Sequence, residues 1–232
     1  MEPVDRQDGR ETDGAQADGS NGARSPEIGS TSATAVGRRG ILSAVAAALL
    51  AGNANAAAAA GRVEELRGQG FAEASARRML SLASEVFVGD LVGTMAASIM
   101  ELRLGTATQV RLGPETQLKI DRFLLNAGGE LVLERGATLI THDPSEPKSD
   151  VLIRSPFGLI AVRGTRFFVG PSGGRFSVFV QEGRVMVTGV RTAVTLTAGL
   201  GTSIARPGSE PDDPSVWGKP RIDAALALVG VG

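Results

Sequence analysis

The sequence predicts an all-β fold on three observations. Val151 to Thr188 is rich in Val, Ile, Phe and Thr, and Gly or Pro interrupts it every few residues, which is the pattern of short strands separated by turns. An apolar–charged–apolar triplet recurs between residues 102 and 120. The 31 glycines among 232 residues suit a chain that turns often. Together these features predict one β-rich domain with a sizeable core, flanked by tails.

Composition excludes several classes of function. Aromatic residues make up only 4% of the chain, with no Tyr and one Trp, which argues against a stacking platform for sugars or single-stranded nucleic acid. The net charge of −1 provides no overall field for DNA or anionic lipid. Since the chain has no Cys, thiol catalysis, disulfides and cysteine metal sites are excluded. We therefore predict no nucleic-acid partner.

The N-terminal region divides into two segments before any folded pattern begins. Residues 1–36 are mostly Asp, Glu, Gly, Ser, Gln and Ala, a composition that buries too little apolar surface to fold and predicts an acidic, disordered segment. Residues 37–60 have the layout of an export signal: Arg38-Arg39, then an apolar run, then Ala54-Asn55-Ala56 as a small-x-small cleavage site. The arginine pair resembles a twin-arginine signal.

The alternative for this region is a retained membrane anchor. The strongly apolar part, Ile41 to Gly52, is only about half the roughly 20 residues that a membrane span needs. Asn53 and Asn55 also interrupt its extension. Cleavage near Ala56 is therefore the favoured interpretation, which makes the protein periplasmic.

Residues 61–206 are predicted to form the folded domain. Residues 62–90 contain good helix formers, but Gly68 and Gly70 interrupt them, so strands ending at a Gly89-Asp90 turn are favoured. Asn126–Gly129 is predicted to be a turn, Leu131–Leu133 a strand and Thr141–Asp150 a polar loop. Val194–Ile204 is predicted to form closing strands, and residues 207–220 a linker. Arg221–Val229 is predicted to be a short apolar helix or strand that docks on the domain. Residues 207–232 thus form a Pro/Gly linker with a C-terminal apolar segment, in which Asp223 is predicted near the positive end of a helix dipole.

The recurring triplet has an eight-residue step. It reads Leu102-Arg103-Leu104, then Val110-Arg111-Leu112, then Leu118-Lys119-Ile120. A half-buried strand places alternate side chains on opposite faces, so the apolar residues should be buried and the charged ones should face solvent. Each buried Leu or Ile contributes roughly 1.5–3 kcal/mol. The repeat indicates either successive rungs of a coil or a tight meander.

Glycines are predicted to shape the central stretch. Gly173-Gly174 and Glu182-Gly183 are interpreted as turns that each join two strands. A bulge at Gly164-Thr165 would reset the side-chain alternation and bury Phe167 beside Val162. Phe168, on the opposite face, is either exposed or covered by a further layer, and we expect its truncation to cost less than that of Phe167.

The chemically reactive residues do not form a convincing catalytic or metal site. His142 is the only histidine, and beside a Pro-rich loop it is expected at the surface. Asp143, Glu146 and Asp150 could offer oxygens to Ca²⁺, but their irregular spacing favours a solvated loop. No phosphate-binding loop is present, because Gly170–Gly174 lacks the following Lys and helix. We therefore predict no catalytic, cofactor-binding or metal-binding residues and no cofactor.

Three arginines of the central stretch allow two interpretations. Arg154, Arg163 and Arg166 could form a basic patch. Alternatively, they lie at strand positions that simply face water.

Two motifs of the central stretch resemble those of the FecR domain family. They are Arg163-Gly164-Thr165-Arg166-Phe167 and Glu182-Gly183-Arg184-Val185-Met186-Val187. Shorter similar pieces lie upstream, at Gly89–Thr94, Leu102–Leu104, Leu118 and Leu133–Gly136. The resemblance covers roughly residues 62–204, and it implies an all-β domain, β-solenoid-like or sandwich-like, located outside the cytoplasmic membrane.

The best-known members of that family are membrane-spanning regulators of iron-uptake sigma factors. Here the N-terminal segment is too short and polar for their sigma-binding domain, and the part after Ile204 is too short for their additional receptor-contacting domain. The resemblance therefore favours an exported, non-catalytic binding or scaffold module whose partner is an envelope protein or polymer. The alternatives are a membrane-tethered signalling regulator, if the signal segment is retained, and an enzyme that uses His142 or the acidic loop.

Export and cleavage are directly testable. Changing Arg38-Arg39 to Lys-Lys should leave the precursor in the cytoplasm, because a twin-arginine signal depends on that pair. N-terminal sequencing of the envelope form should begin near Ala57. An intact acidic segment on that form would contradict the prediction.

Overall fold

The computed structural model describes residues 58–124, 128–143, 145 and 150–232. The predicted acidic segment, the Arg38-Arg39 pair and the Ala54-Asn55-Ala56 cleavage site lie outside the described residues. Those interpretations therefore stay predictions. β1 begins at Ala59, two residues before the predicted start of the folded domain.

The described part of the chain is built almost entirely from strands. They are β1 (Ala59–Arg67), β2 (Gly70–Glu73), β3 (Arg77–Leu80), β4 (Glu85–Phe87), β5 (Leu91–Thr94), β6 (Ile99–Leu104), β7 (Thr108–Leu112), β8 (Gln117–Leu124), β9 (Gly128–Arg135), β10 (Thr138–His142), β11 (Asp150–Ser155), β12 (Gly158–Ser172), β13 (Arg175–Thr188), β14 (Ala193–Thr197), β15 (Leu200–Ile204) and β16 (Ser215–Val216). A nine-residue helix, α1 (Lys219–Ala227), follows. The all-β prediction is confirmed.

The strands form one curled sheet. Its main path runs β3-β2-β5-β8-β9-β11-β12-β10-β7-β6-β1-β4, with β13, β14, β15 and β16 joined beside β12. The pairs are antiparallel except for β9 with β11, which is parallel. Rungs of a coil would pair in parallel, so the architecture resembles a folded antiparallel sheet rather than stacked coils.

The strands of the recurring triplet are not consecutive neighbours. β6 and β7 form an antiparallel hairpin, but β8 lies elsewhere in the sheet, between β5 and β9. The six apolar residues of the three triplets are all fully buried, as the alternation predicts. The pattern therefore identifies the buried face of each strand but not which strands pair.

The expectation that the charged residues of the triplets face water is wrong for Arg111. Its side chain is only 14% exposed and ion-pairs Glu101, with Nη1 to Oε2 2.5 Å. Its Nε donates to the carbonyl oxygen of Val229 at 2.9 Å. The outer face of β7 is covered there by a segment 118 residues further along the chain, which the local pattern cannot reveal.

The central stretch consists of the short strand β11 and two long strands, β12 and β13, instead of several short ones. Gly173 and Gly174, with φ of 61° and 74°, form the predicted tight turn, because Ser172 of β12 pairs directly with Arg175 of β13. Glu182-Gly183, however, is not a turn between strands. It lies inside the continuous strand β13, so that prediction is wrong.

Both long strands carry an irregularity at the same level, here called the crease. The β12–β13 register shifts between Arg163 and Arg166, and Gly164 and Gly183 have φ of 56° and 84°, which favours glycine. A Cβ on Gly183 would lie 2.3 Å from the backbone oxygen of Gly164. The predicted bulge at Gly164-Thr165 is confirmed, and β13 bends with it.

The crease resets which face of each strand is buried. Val162 and Phe167 share the main core, and so do Val180 and Val185. In each strand the two residues are five positions apart, whereas side chains on one face of a regular strand are an even number apart. The prediction that Phe167 is buried beside Val162 is confirmed.

A second apolar cluster covers the opposite face of the sheet. Phe168 and Phe179 pack there with Trp217 and with residues of the C-terminal segment, Ala225, Leu226 and Val229. The rings of Phe179 and Trp217 stack with centroids 4.9 Å apart. Phe168 is fully buried, so of the two alternatives for its face, exposure is wrong and a further layer covers it.

The C-terminal apolar segment is the helix α1, and it docks as expected. Pro220 lies in its first turn, where a missing N–H costs nothing. Asp223 does not lie in the first turn; its carboxylate instead accepts from Lys219 Nζ at 2.7 Å. No helix in the part of the chain that the structure describes is long and apolar enough to cross a membrane.

The crease gives a stability prediction with an internal control. Gly183→Ala should destabilise the protein more than Gly199→Ala. Both glycines have a φ near 85°, but a Cβ at Gly199 meets nothing within 4 Å, whereas one at Gly183 meets backbone. The backbone strain alone is on the order of 1–3 kcal/mol. Equal free energies of unfolding in urea for the two variants would contradict a structural role for the crease.

The two phenylalanines give a second stability prediction. Phe167→Ala and Phe168→Ala should each lose roughly 3–5 kcal/mol, as buried Phe residues do, because both are fully buried in separate clusters. Equilibrium denaturation of both variants measures this. A loss below 1 kcal/mol for Phe168→Ala would show that the C-terminal layer does not cover it in solution.

Candidate binding surface

His142 is buried, contrary to the surface position expected from the sequence. It ends β10 and is 3% exposed, with Nδ1 2.9 Å from the Thr108 hydroxyl. Next to it, Asp143 accepts from the backbone and hydroxyl of Ser145 at 2.8 and 2.6 Å, and the hydroxyl bond is the main reason that the Asp143 pKa is lowered. This is the geometry of an Asx turn, so Asp143 has a local structural role.

The metal site weighed for the acidic loop receives no support. Glu146 lies outside the described residues, and so does the side chain of Asp150. Among the residues that the structure does describe, no group of three or more His, Asp or Glu side chains is arranged to hold a metal ion.

Of the three arginines weighed for a basic patch, the two whose side chains the structure describes, Arg154 and Arg166, each bond a separate acceptor. Arg154 bonds Glu130, which also accepts from Arg122 at 2.6 Å. The hydrogen bond from Arg122, followed by that from Arg154, lowers the pKa of Glu130. Arg166 donates from Nε to the Gln181 amide oxygen at 2.9 Å. The side chain of Arg163 is outside the described part.

Edge strands offer a different kind of site, because an unpaired edge can accept an added strand. Four strands end the pairing network of the described sheet, namely β3, β4, β14 and β16. β3 carries Arg77 and Arg78, and β4 has three residues including Glu85. β16 has only two residues. Charge and short length are the usual protections of a sheet edge.

β14 lacks these protections. Its five residues, Ala-Val-Thr-Leu-Thr, include no charge and no Pro, and they pair only with β13, in an unbroken register from Thr188↔Ala193 to Arg184↔Thr197. Leu196 is buried, whereas Thr195 and Thr197 face solvent. A regular, uncharged, exposed edge of this kind is suited to pairing with another extended chain.

An apolar groove lies beside this edge. It encloses about 660 Å³ and is lined by Leu152, Ala161, Val162, Gly183, Arg184, Met186 and Thr197. Leu152, Ala161, Met186 and Thr195 stand side by side across β11, β12, β13 and β14. Met186 is 46% exposed, and Met adapts its shape readily to a partner. We call the β14 edge and this groove the β14 surface.

Arg184 is the charged residue of the β14 surface. It is exposed and forms no ion pair with any side chain in the described ranges. Its register partner on β14 is Thr197, and its side chain lines the groove. The surface therefore combines backbone, apolar and cationic contacts.

Glu210 holds the turn that leads into β14. Its carboxylate accepts from the Thr192 hydroxyl at 2.7 Å, from the Thr192 N–H at 3.1 Å and from the Arg191 N–H at 3.0 Å. The hydrogen bond from the Thr192 hydroxyl is the main reason that the pKa of Glu210 is lowered. The linker residue Glu210 thus fixes the start of the edge strand.

The sequence contains a weak signal for this surface. Ala193–Thr197 alternates small or polar residues with apolar ones, which predicts a half-buried strand. The absence of a charged residue is visible in the sequence, but the edge position depends on pairing that the sequence pattern does not show.

The central region of the chain matches a known protein family. Residues 90–186 match the family model described as FecR protein. This match identifies a FecR domain within residues 90–186. The match includes the crease and most of the groove, and it lies within the 62–204 range over which the motifs resemble that family.

Solved structures support the fold of this FecR domain. Two crystal structures of a "putative anti-sigma factor" from Parabacteroides distasonis ATCC 8503, at 1.65 and 2.50 Å resolution, superpose with a TM-score of 0.50 at 15% sequence identity. The first alignment covers 59% of this chain and 64% of that one, so the chain matches less than two thirds of that protein. Among curated proteins, none matches the sequence.

The Glu210 contacts predict a pH dependence of the β14 surface. A carboxylate whose pKa is lower in the folded protein than in the unfolded chain stabilises the fold at pH values above the unfolded-state pKa. This stabilisation is lost as the pH falls through the folded-state pKa. The Arg191 and Thr192 amides should therefore lose hydrogen-exchange protection below the ordinary pKa of a glutamate, about 4.3. Glu210→Gln should reduce their protection already at pH 7.

The matched control is Glu182→Gln. Glu182 is an exposed glutamate of β13 whose side chain makes no hydrogen bond or ion pair with the described residues, so this change should leave both amides protected. Equal protection in the wild type and Glu210→Gln at pH 7 would contradict the role of Glu210. The readout is the protection factor at each amide, measured by NMR.

Proposed function

We propose that this FecR-domain protein is an exported, non-catalytic binding module of the cell envelope. The observation that carries the proposal is the β14 edge, which is regular, uncharged and exposed. The occupant is an extended segment of an envelope protein that adds as a strand to β14. Backbone hydrogen bonds would supply affinity, and the adjoining groove would supply selectivity.

The groove defines the chemistry of that segment. The groove beside β14 is lined by Leu152, Ala161 and Met186, so it favours apolar side chains in the segment. An acidic side chain near Arg184 would pair with a cation that has no partner among the described side chains. The proposed segment is therefore extended, largely apolar and at least singly acidic.

A non-catalytic role is supported by the surroundings of the reactive groups. His142 faces the Thr108 hydroxyl in a buried position. Asp143 is engaged with its own turn. Neither residue borders the groove.

A membrane-tethered signalling regulator is the second candidate. The observations that favour it are the FecR match and the likeness in fold to a protein described as an anti-sigma factor. It requires that the signal segment be retained, so the size of the envelope form separates it from the first proposal. Both candidates can use the β14 surface.

Site-specific photo-crosslinking in the envelope tests the proposed surface. A photoreactive residue at Thr195 should crosslink to a partner protein, and one at Ala224 should not. Ala224 provides the control because it is exposed on α1, away from β14. Crosslinks of equal yield at both positions would contradict the proposal, and a crosslink to a second copy of this chain would replace the proposed partner.

Two substitutions test the mode of binding. Thr195→Lys should abolish the crosslink from a probe at Met186, because an edge lysine blocks strand addition. Since Thr195 is exposed, the change should alter the free energy of unfolding by no more than about 0.5 kcal/mol. The charge-matched control, Ala224→Lys, should leave the crosslink intact. An unaltered crosslink in Thr195→Lys would contradict strand addition.

A further inference from the structure

A separate polar cavity lies at the end of the β12–β13 hairpin. It has a volume of about 360 Å³, and its lining includes Arg175, Arg221, Ser172 and Ser203. None of these residues borders the β14 surface. We call it the arginine–serine pocket.

The guanidinium of Arg221 is held in a fixed orientation. Its Nε donates to the Ser172 hydroxyl at 3.1 Å, and its Nη2 donates to the hydroxyls of Ser203 and Ser177 at 2.9 and 3.3 Å. Its Cζ stands 3.7 Å from the ring centroid of Trp217. These contacts are neutral, and Nη1 has no hydrogen-bond partner within the described ranges.

A second guanidinium, that of Arg175, lines the same cavity. Its Nη1 and Nη2 bond the carboxylate of Asp212 at 2.6 and 3.0 Å. Its Nε is buried without a partner in the described part of the chain. A buried donor of this kind is unfavourable unless something accepts from it.

Arg221 forms no ion pair with the described residues, although the lining carries two acids, Asp212 and Asp213, beside the two arginines. Burial, and after it the nearby charge of Arg175, lowers the pKa of Arg221, whereas Asp212 acts in the opposite direction. Asp212 is already engaged by Arg175, and Asp213, the other acid of the lining, makes no ion pair in the described part. Two guanidiniums near each other create a local site for a negative group.

We propose that the arginine–serine pocket binds an oxyanion, either a carboxylate or a phosphate group. The free Nη1 of Arg221 would donate to it, hydroxyls of the lining would be further donors, and the guanidinium of Arg175 would add positive charge. Guanidinium groups suit both ligands because their planar N–H groups match carboxylate and phosphate oxygens. The site is distinct from the β14 surface and does not depend on the proposed function.

A purely structural role is the alternative, because Arg221 also fastens α1 to the β12–β13 hairpin. The two roles differ in the effect of Asp212. If the pocket binds an anion, Asp212→Asn removes a competing negative charge and should strengthen binding several-fold. If Arg221 only fastens the helix, Asp212→Asn should have no effect on anions.

Titration of the purified protein with inorganic phosphate, and separately with acetate, tests the proposal. Ionic strength is held constant with sodium chloride, and binding is followed by NMR shifts of the amides of Ser172, Ser203 and Arg221. We expect saturable shifts with at least one anion, at least tenfold weaker binding in Arg221→Gln, and stronger binding in Asp212→Asn. The charge-loss control Lys219→Gln lies on the same helix outside the pocket and should bind as the wild type does.

The outcomes separate the sources of the anion. Binding of acetate alone supports a carboxylate ligand such as a peptide, and binding of phosphate alone supports a phosphorylated ligand. Arg221→Lys keeps the positive charge but loses the planar guanidinium, and it serves as the control for a folding defect. Weaker binding by this variant with an unchanged circular dichroism spectrum supports the proposal. Identical titrations in the wild type, Arg221→Gln and Asp212→Asn would overturn it.

Discussion

The paired glycine positions at the crease determine how the rest of the domain packs. Side chains alternate between the two faces of a strand, so a strand that crosses from one half of a folded sheet to the other must shift its alternation once. Gly164 does this in β12 and Gly183 does it in β13, in direct contact. Without the shift, Phe167 and Val169 would leave the main core, and Phe168 would enter it.

The crease also creates the β14 surface. On the N-terminal side of the crease β13 pairs with β15, and on the C-terminal side it pairs with β14. β12 changes neighbours in the same way, from β11 to β10. The edge strand, the groove and Gly183 therefore lie together because β12 and β13 both bend at the crease. The FecR match ends within this region, at Met186.

The local pattern of the sequence predicts the buried faces well and the long-range layer poorly. Period-two alternation identifies the buried leucines of β6, β7 and β8, and the glycine inside an apolar run correctly indicates the bulge at Gly164. The same local signal misleads at Gly183, because a glycine after an acidic residue suits a turn and a bulge equally well. Arg111, His142 and Phe168 are buried by segments distant in sequence, and periodicity carries no information about those segments.

The position of the second apolar cluster has a consequence for motion. The sheet itself separates this cluster from the main core, so the C-terminal segment can detach while the main core stays packed. Regions with separate apolar contacts of this kind open as cooperative subunits at a free energy below that of global unfolding. We therefore expect the layer formed by Trp217 and α1 to open as one unit, which would uncover Phe168 and Phe179 together.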